Sequence, residues 1–453
     1  MTTRRRLLVA VVIATSVVAT LAGCSSPRRS TASTSSTGGS TASSDGSGTS
    51  TTTTPAADAI VFTTVDGAID AYRSVPPYTR QRVIAAGTAP DGNEPHGQIC
   101  FSPDGSRRFV VAETKPAGAT PASAGWGLYQ LTGDAVGGLR VRRVSGWTSP
   151  SGPAADAPTT YGCAFLADGR LLTSDLGNQR TGAPTGRLVE WFAPYDDATP
   201  TSCIVSDGLA TPLGLSSDGA DNVYLTSARA PTAGVWRYSG TFPADASGCV
   251  TATTGPAPPN TTTPAPDPGG SSTTTSPGPT VTHGPGPDAL GPDTPATRPA
   301  PATVTATLVI PAASGPTSAP TAVAVTPDGK NLVVASAPFG AITAYGIDGT
   351  GPVPILSDPS ATMVATTPFA GGTPLGVSVG LDGAVFYADP GLVAGADGVI
   401  GPADRTGTIR RVATSPGFVS PPPPETINAE LRAPDGLGLY LGVNPQAGGA
   451  SKA

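Results

Sequence analysis

The chain has 453 residues and a formal net charge of −6, with 32 acidic and 26 basic side chains. It contains 58 glycines and 51 prolines, and only 13% of its residues are charged. The sequence has no basic cluster with interleaved aromatic residues, which excludes the usual nucleic-acid-binding surface. No stretch after the N-terminal segment is long and apolar enough to span a bilayer as a helix.

Residues 1–23 have the features of an export signal. Three arginines at positions 4–6 precede an apolar run at 7–20, which is too short for a permanent membrane-spanning helix. Leu21-Ala22-Gly23-Cys24 follows and resembles a bacterial lipobox. The resemblance implies cleavage before Cys24 and acylation of that cysteine, palmitate included, with a plain signal peptide as the alternative. Residues 3–8 also resemble a twin-arginine signal, so the general and twin-arginine export routes both stay open.

We therefore expect a protein held at the outer face of the cytoplasmic membrane, because several acyl chains bind stably where one is marginal. Residues 24–57 are rich in Ser and Thr and are predicted to be a disordered tether. A coil of this length spans roughly 30 Å. A Pro/Thr/Gly-rich insertion at 251–302 and a tail at 443–453 are predicted to be disordered as well.

The body, residues 58–442, contains a sixfold repeat. Each unit begins with a small-residue turn and a short apolar strand, then an Asp-Gly or Gly hairpin and a second strand. The six first strands lie at 95–100, 161–165, 212–215, 320–325, 374–379 and 434–439. A third strand opens near a glycine in each full unit, as at 127–129 and 234–238, and a looser fourth strand follows.

Four strands recurring every 50 to 65 residues, without a long helical period, predict an all-β six-bladed β-propeller. The sixth first strand has no strands after it, and strands at 60–63, 67–72 and 80–84 come before the first unit. We therefore predict that the last blade combines the C-terminal strand with three N-terminal strands, which closes the ring without an open edge. We expect a monomer.

Besides Cys24 there are four cysteines, Cys100, Cys163, Cys203 and Cys249. An even number in an oxidising location predicts two disulfides, for which three pairings exist. We favour Cys100 with Cys163, because both lie on first strands of consecutive units, and Cys203 with Cys249. Buried free thiols are the alternative.

The repeat resembles the superfamily of six-bladed propellers that includes TolB-like proteins, NHL-repeat proteins and the regucalcin–gluconolactonase group. Residues 175–180, Asp-Leu-Gly-Asn-Gln-Arg, are close to the NHL consensus. Gluconolactonase relatives bind a divalent cation in the channel through a Glu and several Asn or Asp residues, and hydrolyse lactones with it. The resemblance implies Ca, Mg or Mn here, with Asp435 of Pro-Asp-Gly and Glu113 as candidate ligands. At 374–376 Leu375 replaces the asparagine of that family.

Propeller topology places the starts of the first strands and the ends of the second strands around one mouth of the channel. The candidate binding residues at this mouth are His96, Glu113, Asp175, Asn178, Asp389 and Asp435. The tether joins the fold at the opposite face, so we expect this mouth to face away from the membrane. The structural alternative is that the carboxylates accept hydrogen bonds from loop amides and that His96 is a hydrogen-bonded structural residue.

These patterns favour a binding or scaffolding module of the cell envelope that recognises a small polar ligand, a glycan or a protein at the mouth. A metal-dependent hydrolase of lactones or esters is the alternative, and the catalytic residues for it are unknown. Outside the 251–302 insertion, which contains His283, His96 is the one histidine, and with scattered serines and no Gly-x-Ser-x-Gly elbow it is weak support for a catalytic triad.

Overall fold

The computed structural model describes residues 59–89, 92–114, 124–133, 138–150, 159–177, 184–197, 199–249, 303–312, 319–348, 355–365, 373–394, 400–402, 404–414 and 422–441. Within these ranges the chain forms six four-stranded antiparallel sheets and one short two-stranded ribbon. Consecutive sheets follow one another around a central channel, which confirms the predicted six-bladed β-propeller. The predicted signal, tether, insertion and tail lie outside the described residues, as do Cys24 and Asn178.

In each blade the first strand lines the channel and the fourth lies at the outside. Blade 1 consists of β4 (Glu94–Phe101), β5 (Arg108–Thr114), β6 (Ala124–Thr132) and β7 (Arg140–Thr148). Blade 2 consists of β8 (Thr160–Phe165), β9 (Leu171–Asp175), β10 (Gly186–Trp191) and β11 (Ser202–Leu209). Blade 3 consists of β12 (Pro212–Ser217), β13 (Val223–Ser227), β14 (Gly234–Thr241) and β15 (Thr303–Pro311).

The remaining blades follow the same order. Blade 4 consists of β16 (Ala322–Val325), β17 (Asn331–Ser336), β18 (Ala341–Asp348) and β19 (Ile355–Ala365). Blade 5 consists of β20 (Gly376–Val379), β21 (Val385–Asp389), β24 (Gly407–Val412) and β25 (Glu425–Leu431), with the ribbon β22 (Leu392–Ala394) and β23 (Ile400–Pro402) between β21 and β24. Short 3-10 helices occur at Ala246–Gly248 and Ala337–Phe339. Among the described residues, no helix has the length and apolarity needed to traverse a membrane.

Blade 6 joins the two ends of the described chain, as predicted. It consists of β26 (Pro434–Tyr440), β1 (Ile60–Val65), β2 (Ala68–Arg73) and β3 (Arg80–Ile84). Ile60 lies opposite Tyr440 and Thr64 lies opposite Gly436. The Thr63 hydroxyl adds a hydrogen bond of 2.8 Å to the Gly436 carbonyl. The ring is thus closed by antiparallel pairing between strands more than 370 residues apart.

The Asp-Gly hairpins explain why the repeat is readable in the sequence. In blade 1, Asp104 Oδ1 accepts the Ser106 amide at 2.9 Å, and Gly105 adopts a φ of 69°. Such a carboxylate bond two residues ahead, followed by a residue with positive φ, is the preferred chemistry of a tight turn. The same carboxylate bond recurs in the hairpins of blades 2 to 5, made by Asp168, Asp218, Asp328 and Asp382.

A glycine near the start of most first strands allows the blades to converge. A Cβ on Gly97 would lie 2.5 Å from the Tyr161 carbonyl oxygen of the next blade. A Cβ on Gly162 would collide with the Leu213 carbonyl oxygen, and one on Gly214 would lie 2.7 Å from the Ala322 Cα atom. We call this end of the channel the glycine end, and the end that carries the Asp-Gly hairpins the hairpin end.

Apolar side chains between neighbouring blades form the core. One cluster, for example, combines Val110, Trp126 and Trp147 of blade 1 with Phe165 and Trp191 of blade 2. Five aromatic residues of the third strands are buried: Tyr129, Trp191, Trp236, Tyr238 and Tyr345. They therefore pack between blades, as expected of this fold, and present no aromatic platform to solvent.

The convergence at the glycine end predicts the effect of one added methyl group. We expect Gly162→Ala to lower the free energy of unfolding by about 1–3 kcal/mol, because its Cβ has no room beside Leu213 and Ser174. The measurement is urea denaturation followed by tryptophan fluorescence. Gly248→Ala is the matched control, since the atoms nearest its Cβ would lie 3.7 Å away. Equal stability of the two variants would contradict the crowding.

Candidate functional site

The glycine end of the channel is closed by apolar side chains. Tyr161, Leu213 and Leu375 are at most 4% exposed and pack with residues that follow the second strands, namely Leu176, Ala228 and Ala337. The Tyr161 hydroxyl donates a 2.8 Å hydrogen bond to the Asp435 carbonyl of blade 6. The predicted binding residues therefore surround an apolar plug.

Glu113 is buried and bonded on both carboxylate oxygens. Tyr129 donates to Oε1 at 2.6 Å, and Arg143 donates to both oxygens at 3.0 and 2.8 Å. Asn93 donates a further bond to Oε2 at 3.1 Å. Arg143 comes from the outer strand β7, so this carboxylate ties the loop end of β5 to the outside of its own blade. A paired and fully bonded buried carboxylate is a structural group.

Asp175 and Asp389 have similar roles in blades 2 and 5. Asp175 accepts bonds from Ser149 at 3.1 Å and from Arg187 at 2.9 Å. Burial raises the pKa of Asp175 to about 6, while Arg187 acts in the opposite direction. Asp389 Oδ1 accepts the amides of Thr373 and Gly391 and the Thr373 hydroxyl, which orders the loop around the ribbon. Both carboxylates match the structural interpretation of the sequence.

Asp435 and His96 lie where blade 6 meets blade 1. Asp435 Oδ1 accepts a short hydrogen bond from the Thr64 hydroxyl and a 3.2 Å bond from the Gly97 amide. Burial raises the pKa of Asp435 to about 6, and these hydrogen bonds lower it in part. His96 is half-buried, but its Nε2 atom is buried and has no hydrogen-bond partner. Burial lowers the pKa of His96 to about 4.

The divalent cation implied by the resemblance does not fit the observed donor set. Both oxygens of Glu113 are already bonded to an arginine and to neutral donors. Across the described ranges, no group of three His, Cys, Asp or Glu side chains is arranged to hold a metal. Ca and Mg need several carboxylate or carbonyl oxygens around one point.

The channel opens into a cavity at the hairpin end instead. Its volume is about 160 Å³, and all six first strands contribute to its wall. Apolar side chains form much of the wall, including Phe101, Phe165, Val325 and Tyr440. Polar side chains from several blades also line it: Gln98, Ser102, Arg107, Ser216 and Ser378.

Gln98 cross-links the cavity wall between three blades. Its Nε2 donates to the Leu215 carbonyl at 2.7 Å, and its Oε1 accepts the amides of Leu215 at 3.0 Å and Cys163 at 3.3 Å. The Cys100–Cys163 disulfide, with a Cα–Cα distance of 5.9 Å, joins the first strands of blades 1 and 2 beside it. This pairing agrees with the one favoured from the sequence. The two links fix the relative position of three inner strands.

The second predicted disulfide is not formed, and this prediction is corrected. Cys203 on β11 and Cys249 after the 3-10 helix Ala246–Gly248 are free thiols. The two thiols interact, and burial together with Cys249 raises the pKa of Cys203. Cys203 is buried and Cys249 is half-buried, so the alternative of buried free thiols describes this pair.

The residues that line the cavity were missed in the sequence, although a signal for some of them exists. In the sequence of β20, Gly-Val-Ser-Val, Ser378 is the only polar side chain, whereas β12 ends in two serines and gives no such signal for Ser216. A polar residue at a single position of an otherwise apolar inner strand marks a side chain that faces the channel. The sequence patterns also do not predict the ribbon β22–β23 in the connection between β21 and β24.

No protein-family model matches the sequence, and no curated protein matches it. Among solved structures, the chain is similar to a provisionally assigned 6-phosphogluconolactonase of Bacteroides uniformis, with 11% identity, a TM-score of 0.46, and coverage of 85% of this chain and 100% of that one. The chain is also similar to the periplasmic gluconolactonase of Pseudomonas aeruginosa, with 14% identity, a TM-score of 0.44, and coverage of 84% of this chain and 99% of that one. A third similar structure is TolB of Acinetobacter baumannii, with 11% identity, a TM-score of 0.39, and coverage of 84% of this chain and 66% of that one. Identities and TM-scores this low support no conclusion about activity. The assignment of the fold rests on the strand pairing.

His96 predicts a pH-dependent loss of stability. The unfolded imidazole binds a proton as the pH falls through about 6.5, whereas the folded one stays neutral until about pH 4. Unfolding is therefore favoured as the pH falls between these values. When the pH is lowered from 7.5 to 4.5, we expect the free energy of unfolding of the unsubstituted chain to fall by about 2.5 kcal/mol more than that of the His96→Gln variant.

The measurement is guanidinium denaturation of both proteins at the two pH values. Asp175 and Asp435 have raised pKa values, so they act in the opposite direction, gaining stability as the pH falls through about 6. Both are present in each protein, and their contribution cancels in the comparison. The same pH dependence in the variant would show that His96 is protonated in the folded state.

Proposed function

We propose that this protein is a lipid-anchored binding module of the cell envelope that takes a small polar ring into the hairpin-end cavity. The ring would be a free sugar or one unit of a glycan. The observation that carries the proposal is the cavity of about 160 Å³, walled by all six blades. An apolar cavity of about 150 Å³ binds benzene, which is a six-membered ring without the exocyclic groups of a sugar.

The wall of the cavity suits a ring that has both apolar and polar surface. The rings of Phe101 and Tyr440 lie 5.2 Å apart at one side, and they offer aromatic surface. Ser378 and Ser216, from blades 5 and 3, add hydroxyl groups. Apolar and aromatic walls with a few placed polar groups are typical of small-molecule sites.

The proposed envelope location rests on the sequence of the first 24 residues and gains support from the disulfide. Arg4–Arg6, the apolar run and Leu21–Cys24 occur in the order of a lipoprotein signal. The Cys100–Cys163 disulfide braces two inner strands, and such bonds persist in oxidising compartments outside the cytoplasm.

The proposed site predicts that filling the cavity abolishes binding. We expect D-glucose or N-acetyl-D-glucosamine to give saturation-transfer NMR signals with the protein, and Ser378→Phe to weaken binding at least tenfold, because the added phenyl ring occupies the ligand volume. Thr426→Phe, at an exposed position of β25, is the matched control. Equal signals from both variants, or no signal with either sugar, would contradict the proposal.

The ion pair between Glu113 and Arg143 predicts that metal ions have no effect on the protein, contrary to the metal-dependent hydrolase alternative. We expect Ca, Mn or Zn ions to leave the melting temperature and the hydrolysis of D-glucono-1,5-lactone unchanged, because Arg143 already binds Glu113. The measurement is differential scanning fluorimetry with a parallel lactone assay. A metal-induced rise that is lost in Asp435→Ala and kept in Asp382→Ala would favour a metal-dependent hydrolase instead.

A further inference from the structure

The connection between β4 and β5 forms part of the rim of the hairpin-end cavity. Ser102, Gly105 and Arg107 lie in this connection, and all three line the cavity. Arg107 is the residue directly before β5, so it stands beyond the ends of the strands that form the wall. Among the described residues that line the cavity, Arg107 has the only charged side chain.

The backbone of Arg107 is held in a defined conformation at this rim. It has a φ of 57°, in the left-handed region that residues other than glycine seldom adopt. The Arg107 carbonyl accepts the Leu131 amide at 2.8 Å and the Gln130 side-chain amide at 3.4 Å. Both donors belong to β6, so the third strand of blade 1 fixes the place of this residue.

The guanidinium group of Arg107 is positioned as well. Its Nη2 atom donates a hydrogen bond to the Gly133 carbonyl, and its Cζ atom lies 5.7 Å from the centroid of the Tyr440 ring. Tyr440 lines the same cavity from blade 6. A guanidinium group has five N–H donors, so it can bind a protein carbonyl and a ligand at the same time. Arg107 therefore offers a positive charge at a fixed place beside the aromatic part of the wall.

The acidic residue nearest to Arg107 in the sequence, Asp104, is engaged in its own turn. Its Oδ1 atom accepts the Ser106 amide at 2.9 Å and the Ser102 hydroxyl at 2.8 Å. Asp104 is exposed and does not line the cavity. The described part of the rim thus presents a positive charge to the cavity, although the whole chain has a net charge of −6.

The size of the cavity separates the ring of a sugar from its exocyclic groups. A volume of about 160 Å³ is close to that of a cavity that holds benzene, a ring without substituents. A large substituent of a sugar ring in the cavity would therefore lie at the rim, beside Arg107. A carboxylate there can form charge-assisted, bidentate hydrogen bonds with the guanidinium group, a pairing for which arginine is well suited. A hydroxymethyl group at the same place is neutral and gains less.

We propose that the hairpin-end cavity selects a hexuronic acid, a sugar ring whose exocyclic carboxylate binds Arg107. This inference rests on the proposed sugar binding and adds the chemical class of the sugar to it. The apolar and aromatic wall packs against the ring, and Arg107 sets the preference for the acidic sugar over the neutral one.

The test compares two ligands that differ only in the group that would meet Arg107. Methyl β-D-glucuronide has a carboxylate where methyl β-D-glucoside has a hydroxymethyl group, and the dissociation constants of both are measured by saturation-transfer NMR with the full chain. We expect the glucuronide to bind at least about tenfold more tightly, because a hydrogen bond to a charged group contributes about that factor or more. Arg107→Gln should remove most of this preference, since glutamine keeps a hydrogen-bond donor and loses the charge.

The matched control removes the same charge from an exposed position. Arg140→Gln on β7 should keep the preference for the glucuronide. Three results would overturn the inference and leave the proposed sugar binding in place: equal affinity of the unsubstituted chain for both ligands, an equal loss of preference in both variants, and an equal weakening of both ligands by Arg107→Gln. The absence of a signal from either glycoside would overturn the proposed function, and this inference with it.

Discussion

The close approach of the inner strands at the glycine end is the constraint on which the rest of the structure depends. Gly97, Gly162 and Gly436 each place a backbone against the backbone of the next blade, where a Cβ has no room. This contact brings Asp435 within reach of Thr64 and Gly97, and so closes blade 6 against blade 1. Among the described residues, the six sheets meet at that end around the apolar plug formed by Tyr161, Leu213 and Leu375.

The hairpin end differs because the six first strands surround a cavity there. There the gap between them is bridged by the side chain of Gln98 and by the Cys100–Cys163 disulfide, and it leaves the cavity. The carboxylates of the glycine end hold loops and blades together, as the Glu113–Arg143 pair shows, whereas His96 Nε2 has no hydrogen-bond partner. Buried carboxylates in such networks are costly to leave unpaired, which explains why they are fully bonded.

The blades could be predicted from the sequence because their signals are local. An Asp-Gly turn such as Asp104-Gly105 depends on hydrogen bonds within two residues, and the apolar alternation of each strand depends on its own neighbours. The roles of the candidate site residues could not be predicted in the same way. Glu113 is paired with an arginine 30 positions away and Asp435 with a threonine 371 positions away. No spacing rule reports such partners, so the same carboxylates looked equally suited to a ligand.

Two features of the hairpin end bear on one another. Arg107 lines the cavity and donates a hydrogen bond to the Gly133 carbonyl, directly after β6. Ile60, at the start of β1, pairs with Tyr440, which also lines the cavity. The cavity and the point where the described chain enters the fold therefore belong to one side of the propeller. In the lipid-anchored protein that we propose, the anchored segment would join the propeller at this side, and a ligand would reach the cavity from the space between the propeller and the lipid headgroups. That space admits a single sugar or the end of a glycan chain more readily than a folded protein, which is why a small polar ring is the ligand that agrees with the placement of the site.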